Sequence, residues 1–559
     1  MSGVDVQTIL KQVEELLTQA GPLPAEAELA VGRLLNVVET LSADRRELVQ
    51  EVERLRRQLE LKKKPKTTDS TDEDDDHNSK NDSDHSSEKR RRQRRGKQKR
   101  RRPDRRSFKD LKIHETIECP IDPETLPPDA VRIEDEEVIV QDIEIKPRNI
   151  RFQRSVYYSA SAKKCFRAPL PNGYDLGDFG AGLRALILSL KYCGNMSEPK
   201  IGEFLQNFDV QISAGSLSNI LTNTATSFAE EFDNLFTAGL ASTPYQQTDD
   251  TSARVAGEFW HTHIVCNPYY TAFFTRPRKD RLTVLEVLQN TSELRFRLGE
   301  KTLQLLQSEF DIPRKWRLAL EQLGEVELDK SSITALLDDW FGEGNRQLRT
   351  AIEQAAATVY YQQQTDVPVV ETLVCDDARQ FKSITDHLAL CWVHAGRHYE
   401  KLSPLAPRHA ALLDAFQDRY WDYYAALQRY RDGPTTAEAN RLRLQFDELF
   451  ATRTGYDALD DRIAKTAAKK EELLTVLDHP EAPLHNNASE LGARVSARRR
   501  DVSLHSRSIR GARAMDVFTT LVQTCKKLGI SAYAYLRDRL ACLHAMPSLA
   551  ASIRTAASV

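Results

Sequence analysis

Gln246-Gln247-Thr248-Asp249-Asp250-Thr251 opens the stretch on which the fold turns. Gly257-Glu258-Phe259-Trp260-His261-Thr262-His263-Ile264-Val265-Cys266 and Tyr269-Tyr270-Thr271-Ala272-Phe273-Phe274 follow it. The second and third runs are β-branched and aromatic and read as successive strands. The first reads as a polar strand end carrying a pair of acids. Helical, Leu- and Gln-rich sequence over about 290–364 interrupts the pattern. Strand character returns at Val367-Pro368-Val369-Val370-Glu371-Thr372-Leu373-Val374-Cys375, which ends on Asp376-Asp377-Ala378. After it come His387-Leu388-Ala389-Leu390-Cys391-Trp392-Val393-His394-Ala395 and a helix through Tyr399 and Leu402, and long helices then lead to Glu490. A sheet whose strands end in acids, interleaved with helices, is an α/β domain with a polar site at the strand ends.

The segment Leu484-His485-Asn486-Asn487-Ala488-Ser489-Glu490-Leu491-Gly492-Ala493-Arg494 carries two adjacent amides, one acid and an Arg, with Arg498-Arg499-Arg500 after it. Asn487, Glu490 and Arg494 are three and four apart, so a helix puts them on one face. Taken alone, Glu490 paired with Arg494 is an ordinary helix-surface feature. A metal-ligand role rests on the upstream carboxylates.

Hydrophobic residues at 40% and charged residues at 29% fit a soluble globular protein with polar appendages. The eight cysteines form no CxxC pair, which argues for a reducing compartment rather than a disulfide framework. The N-terminus has no apolar signal region, and no stretch approaches 18 uninterrupted apolar residues. These features predict a cytoplasmic protein without a membrane span, nucleoid-associated in a bacterium.

The net charge of −3 hides strong local asymmetry. Residues 1–61 read as a helical dimerisation region. Leu34, Leu41, Leu48 and Leu55 recur every seven residues, and Val31, Val38, Val52 and Leu59 supply the alternate seam, broken by Arg45. A hairpin against Ile9–Leu17 is the competing arrangement, with Gly21-Pro22-Leu23-Pro24 as its break. Residues 62–107 form an acidic, then basic linker, from Asp69–Asp84 to the run Lys89–Arg102. Blocks of like charge bury nothing, so this linker is expected to be disordered, and its basic part to attract phosphate without reading sequence.

Residues 108–172 look like a small β-rich, degenerate zinc-finger-like module, with strands expected at 138–140, 143–145 and within Ile150–Tyr158. Its Cys119, Cys165 and His114 fall short of the four ligands of a structural zinc site. Residues 173–240 read as helical. Phe179–Tyr192 is amphipathic, and Ser197–Leu205 and Ser213–Leu221 have helix-turn-helix spacing, with Ser197 and Ser213 as N-caps. Ser216 and Asn219 lie on the second of these helices and are expected to meet DNA. Residues 241–500 then form the α/β domain with its helical insertion at about 290–364, and 501–559 a C-terminal helical region.

Several of these motifs together resemble the insertion-sequence-66 transposase family. They are Asp249-Asp250-Thr251, the strand ending in Asp377-Ala378, Cys391-Trp392-Val393-His394-Ala395-Gly396-Arg397 and Asn486-Asn487-Ala488-Ser489-Glu490. Lys191-Tyr192-Cys193, Arg510-Gly511 and Ala534-Tyr535-Leu536-Arg537-Asp538 agree, and the resemblance covers roughly 108–540. It implies a DDE transposase with a ribonuclease-H-like core, which cuts and joins insertion-sequence ends. It carries the acidic triad onto Asp249, Asp377 and Glu490, with Asp250 and Asp376 as register alternatives. The implied cofactor is Mg²⁺ or Mn²⁺, held by the three acids, because two such ions serve both oxygens of an in-line phosphoryl displacement.

Arg494, Arg498, Arg499 and Arg500 are expected on DNA, and His394 and Asn487 beside the acids. The expected partners are element and target DNA, further copies of the chain, and accessory transposition proteins. The sequence departs from the family pattern in three places. Asp122 stands where a second zinc cysteine is usual, Arg498-Arg499-Arg500-Asp501 replaces a Gly-Arg-Lys stretch, and the insertion is longer. The rival reading is a non-catalytic DNA-binding regulator or accessory protein.

Overall fold

A computed structural model of the chain describes residues 6–63, 112–122, 127, 137–143, 145–171, 174, 177–310, 312–342 and 344–558, with the side chains of 57–63 left out. The charged linker therefore lies outside the described residues, apart from its first two positions. No helix of the described residues is long and apolar enough to cross a membrane.

Helices α1 (Val6–Ala20) and α2 (Ala25–Lys63) are parted at Gly21, whose φ of +79° is open to glycine at no steric cost. Leu10 and Leu35 are buried with Ala406, and Val6, Val31, Val38 and Leu405 pack around them. Polar contacts fix the register of this docking. Glu39 Oε1 accepts the backbone N–H groups of Leu405 (2.6 Å) and Ala406 (2.9 Å), and Asn36 donates to the Gly455 carbonyl (2.9 Å). Val31 and Val38 thus pack within the chain instead of lining a seam between chains. Leu34, Leu41 and Leu48, each more than 60% exposed, remain as an uncovered stripe. Heptad spacing places the leucines on one stripe but cannot say which neighbouring stripe the rest of the chain will cover.

Among the described residues of 108–172, regular structure is confined to the antiparallel hairpin β1 (Val156–Ser159) and β2 (Lys164–Arg167). The strands expected at 138–140 and 143–145 do not form in the described part. Val138, Val140 and Ile143 are exposed with no sheet partner, and apolar alternation makes a strand only where a ladder and a covering face exist. Cys119 and Cys165 are exposed free thiols.

Next come α3 (Ala181–Tyr192), α4 (Glu198–Gln206), α5 (Ala214–Asn223) and α6 (Ala229–Leu240). The Ser213 hydroxyl caps α5 by accepting Ser216 N–H (3.1 Å), whereas Ser197 sits at the start of α4 without a side-chain capping bond. Ile201 and Leu205 of α4, and Leu217, Ile220 and Leu221 of α5, face inward.

The main sheet begins with β3 (Tyr245–Val255), turns at Ala256-Gly257 into β4 (Glu258–Cys266) and returns as β5 (Thr271–Arg276). Both turn residues have positive φ (51° and 86°), the geometry that matches the twist of a tight hairpin. The insertion follows: α7 (Arg281–Leu288), β6 (Phe296–Leu298), α8 (Glu300–Glu309), α9 (Arg314–Leu323), β7 (Val326–Leu328), α10 (Lys330–Phe341) and α11 (Arg346–Gln363). It is helical as expected but also contains an antiparallel pair, β6–β7, that the sequence reading missed. The sheet resumes with β8 (Thr372–Cys375) and β9 (His387–Leu390). Its order is β5-β4-β3-β8-β9, antiparallel across β5-β4-β3 and parallel across β3-β8-β9.

The chain continues through α12 (Trp392–Glu400), α13 (Pro407–Asp432), α14 (Thr436–Phe450), α15 (Asp457–Ala467) and α16 (Lys470–Leu474). It ends in α17 (Asn487–Ser503), α18 (Ile509–Lys527), α19 (Ala532–Leu540) and α20 (Leu549–Ala557). One hydrophobic cluster joins α3–α6, the sheet, the insertion and the C-terminal helices.

Helix α18 lies along the β5 edge and satisfies its backbone. Thr524 Oγ1, Thr520 Oγ1 and Asp516 Oδ2 accept the N–H groups of Thr271 (3.4 Å), Phe273 (3.0 Å) and Thr275 (2.7 Å). Four helical residues rise about 6 Å and two strand residues about 6.8 Å, so one polar stripe of the helix keeps step with the strand.

Candidate active site

Asp249 lies midway along β3, directly opposite Ile264 on β4, so the two side chains share a face. Helix α17 packs on that face. A Cβ at Gly492 would meet Ile264 Cγ2 at 2.8 Å, so only glycine allows this approach. The start of α17 is pinned to β3 by Asn486 Nδ2 donating to the Thr248 carbonyl (2.7 Å) and by Ala488 N–H donating to Gln247 Oε1 (3.3 Å). Glu490 follows within the first turn.

Asp249 is half-buried as a residue, and the burial of its carboxyl pushes it up to about 8. The Asp250 N–H (2.8 Å) opposes this shift, while the charges of Asp376, Glu490 and Asp250 add to it. Asp376 stands immediately after β8 and accepts Ala378 N–H (3.1 Å). Asp376 and Glu490 are thus the acids from other elements that Asp249 feels. Asp377, onto which the family motif carries the second acid, instead forms an ion pair with Lys469. It borders a cleft lined by His394, His398, Arg462, Lys465 and Lys469. Burial, with Arg462 adding, pushes His398 down to about 4 there.

Asp250 points to the opposite face, where Lys279 (3.3 Å) and Gln380 (3.1 Å) hold it. Adjacent residues of a strand alternate in direction, and that separates the two acids of the Asp249-Asp250 pair.

The Cys391–Arg397 and Asn486–Glu490 motifs meet in space. Cys391 Sγ accepts both His394 N–H (3.4 Å) and Asn486 N–H (3.3 Å), and Trp392 N–H donates to the Leu484 carbonyl (2.9 Å). Arg397 closes the junction by donating to both oxygens of Glu490 (3.3 and 3.1 Å). Glu490 thus pairs with an Arg of another helix. Asn487 sits at the head of α17, and its buried Oδ1, like that of Asn486, has no hydrogen-bond partner. His394 lines the Asp377 cleft, with its ring 5.5 Å from that of His398.

The arginine cluster divides. Arg498 is exposed and Arg494 half-buried. Arg499 is buried, donating to the Tyr192 carbonyl (3.0 Å), to Asn195 (3.3 Å) and to Thr519. It is a tie between α3, α17 and α18 rather than a surface for DNA, because consecutive helical residues diverge by about 100°. Arg500 is half-buried and reaches back to Ser252 and to Thr251 Oγ1 (3.3 Å). On α5, Asn219 is exposed and Ser216 is engaged with Ser213 (2.9 Å).

The sequence reading assigned no role to Arg397, Lys469, Lys279 or Gln380. Arg397 lay inside a quoted motif, and its position one helical turn after His394 was the available signal. Lys469 sits in an unremarkable charged run.

A family model described as Transposase IS66 family matches residues 336–514. A protein of Sinorhizobium fredii (strain NBRC 101917 / NGR234), described as uncharacterized protein y4jO, is 34% identical over 309 residues, which is 54% of this chain and 94% of that protein. The chain belongs to the IS66 transposase family. The matched span of this IS66-family protein runs from α10 to the start of α18. It contains Asp376, Asp377, Arg397 and Glu490, while Asp249 lies upstream of it.

Proposed function

We propose that this protein is a DDE transposase, which cuts and joins insertion-sequence ends on a ribonuclease-H-like core through Asp249, Asp376 and Glu490. The observation that carries the reading is the placing of Asp249 on the central strand with the Glu490-bearing helix α17 pinned against it, its carboxyl pushed up by burial first and by the charges of Asp376 and Glu490 after that. Numbered within the sheet alone, the strand order 3-2-1-4-5, with the first three antiparallel and the last two parallel to the first, supports the ribonuclease-H-like core. The second acid is Asp376, the register alternative to Asp377. In support of that choice, the charge of Asp376, the first residue beyond β8, reaches Asp249, while Asp377 pairs with Lys469.

The residues fit a hard divalent cation. Asp249, Asp376 and Glu490 offer oxygens, as Mg²⁺ or Mn²⁺ requires, and Asn486 and Asn487, at the head of the helix that carries Glu490, have buried amide oxygens without a hydrogen-bond partner. When bound, the ion neutralises phosphate charge and activates the attacking oxygen. The Asp249 carboxyl, protonated at neutral pH without that charge, gives up its proton to serve as a ligand. Arg397 holds Glu490 in place. The test is cleavage of a supercoiled donor carrying the element ends by full-length protein in Mg²⁺. Nicking and joining are expected from the wild type and neither from Glu490→Gln. Wild-type protein that binds the ends without nicking them would instead make it a DNA-binding regulator.

The uncovered Leu34, Leu41 and Leu48 stripe supports self-association through α2, because sustained heptads are completed by a second helix. The full-length protein is expected to sediment as a dimer or larger, and Leu41→Asp/Leu48→Asp as a monomer with unchanged helical content. A monomeric wild type at high concentration removes this proposal. DNA contacts are proposed at Arg494, Arg498 and Asn219, and at the basic run Lys89–Arg102 outside the described residues.

A further inference from the structure

Glu371, His387 and His479 come from three separate segments, yet their ligand atoms lie within 4.8 Å of one another. Among the described residues they are the one group of three or more His, Cys, Asp or Glu so close. We infer that they form a binding site for a transition-metal cation of the zinc type, distinct from the acidic site.

The sheet assembles the group. Glu371 immediately precedes β8, and His387 is the first residue of β9. The parallel register places Thr372 beside His387, and the His387 N–H donates to the Glu371 carbonyl (3.1 Å), so the two side chains start from bonded neighbours. His479 arrives from the segment after α16, with its ring centroid 4.1 Å from that of His387. Two imidazoles so close have more to gain from a shared cation than from each other. Glu481 Oε1 lies 3.4 Å from His479 Nδ1, as a carboxylate that orients a ligating ring or supplies a fourth donor.

The donor set selects the ion. Two imidazoles and a carboxylate suit Zn²⁺, Co²⁺ or Ni²⁺, whereas Mg²⁺ prefers oxygen throughout. Glu371 is exposed and both histidines are half-buried, so an ion can enter from solvent. The site also lies apart from the acids. Glu371 precedes β8 and Asp376 follows it, a separation of about 16 Å for five strand residues. A cation here ties the starts of two parallel strands to the segment from His479 to Asn486 that leads into α17. It is therefore a clamp on the support of Glu490 rather than part of the chemistry.

The test is a titration of chelator-stripped full-length protein with Zn²⁺, and with Co²⁺ as a spectroscopic probe. Wild type and Asp249→Asn are each expected to bind one equivalent that His387→Ala and His479→Ala bind at least ~100-fold more weakly, with Glu481→Gln about tenfold weaker. The cobalt adduct is expected to show weak visible bands without the thiolate charge-transfer band of a cysteine site. Zinc should raise the melting temperature of wild type and of Cys119→Ser, but not of His387→Gln, a variant that keeps the bulk of the ring site. An equivalent that survives in both histidine variants, one lost in Cys119→Ser, or no zinc binding by wild type overturns the assignment.

Discussion

Asp376→Asn is expected to abolish strand cleavage, and Asp377→Asn to retain it within about tenfold. The two residues are neighbours, so composition, exposure and helix dipoles hardly distinguish them, and the difference must come from direction. The charge of Asp376, just beyond the end of β8, reaches Asp249 within β3, whereas Asp377 is committed to Lys469. Replacing a carboxylate by its amide keeps the shape and removes the charge that would hold a cation. Misplacing the reacting oxygen by 1 Å costs on the order of 10²-fold in rate, so Asp376→Asn should fall by at least that factor. Asp250→Asn belongs with the mild variants, since Lys279 and Gln380 hold Asp250 on the other face. The measurement is nicking of supercoiled donor DNA in Mg²⁺, with circular dichroism confirming that each variant is folded. An inactive Asp377→Asn beside an active Asp376→Asn restores the register carried over from the family motif.

Asp249→Asn should remove cleavage and at the same time stabilise the metal-free protein at alkaline pH. The folded carboxyl titrates at about 8 against an ordinary 3.8, so the folded state holds the proton more tightly than the unfolded chain. The resulting stabilisation is fully present below pH ~4 and is lost as pH rises through about 8. About four pH units of difference correspond to a few kcal/mol as an upper bound. Asp516, pushed up to about 6 by burial, adds a loss of the same sign that ends earlier. Unfolding in urea with chelator at pH 6 and pH 9 separates them. Wild type weakens over this interval and Asp249→Asn weakens much less. Mg²⁺ at pH 9 should restore the wild type and leave the variant unchanged. Equal pH dependence in both proteins would mean that Asp249 is not the buried acid responsible.

The sheet was legible because each of its strands carries its own signal: β-branched and aromatic residues in β4 and β5, and a short apolar run ending in acids in β8. The facing of the acids was less so. Strand alternation alone separates Asp249 from Asp250, but choosing between Asp376 and Asp377 requires knowing where β8 stops. That depends on β9 and on the Lys469 contact almost a hundred residues away. Glu490 was singled out from its motif. Its partner Arg397 was not, because Arg494 offered the same pairing within one helix. Arg499 was misplaced for a related reason: three consecutive arginines read as one patch, while a helix sends them in three directions. The β6–β7 pair went unseen because three-residue strands leave no periodicity to read.

The β5 edge described above has a further consequence for assembly. An open strand offers its amide groups to any passing chain, and such edges are where proteins polymerise or accept a partner's strand. Here Thr524, Thr520 and Asp516 occupy those donors on one margin of the sheet, and Thr475 donates to the Leu388 carbonyl (2.8 Å) on the other. Backbone-to-backbone recruitment through the sheet is therefore closed on both margins where these groups sit. Copies of the chain that associate would therefore meet through surfaces other than these margins, such as the uncovered leucine stripe of α2, and the main sheet would keep its shape as such contacts form and break.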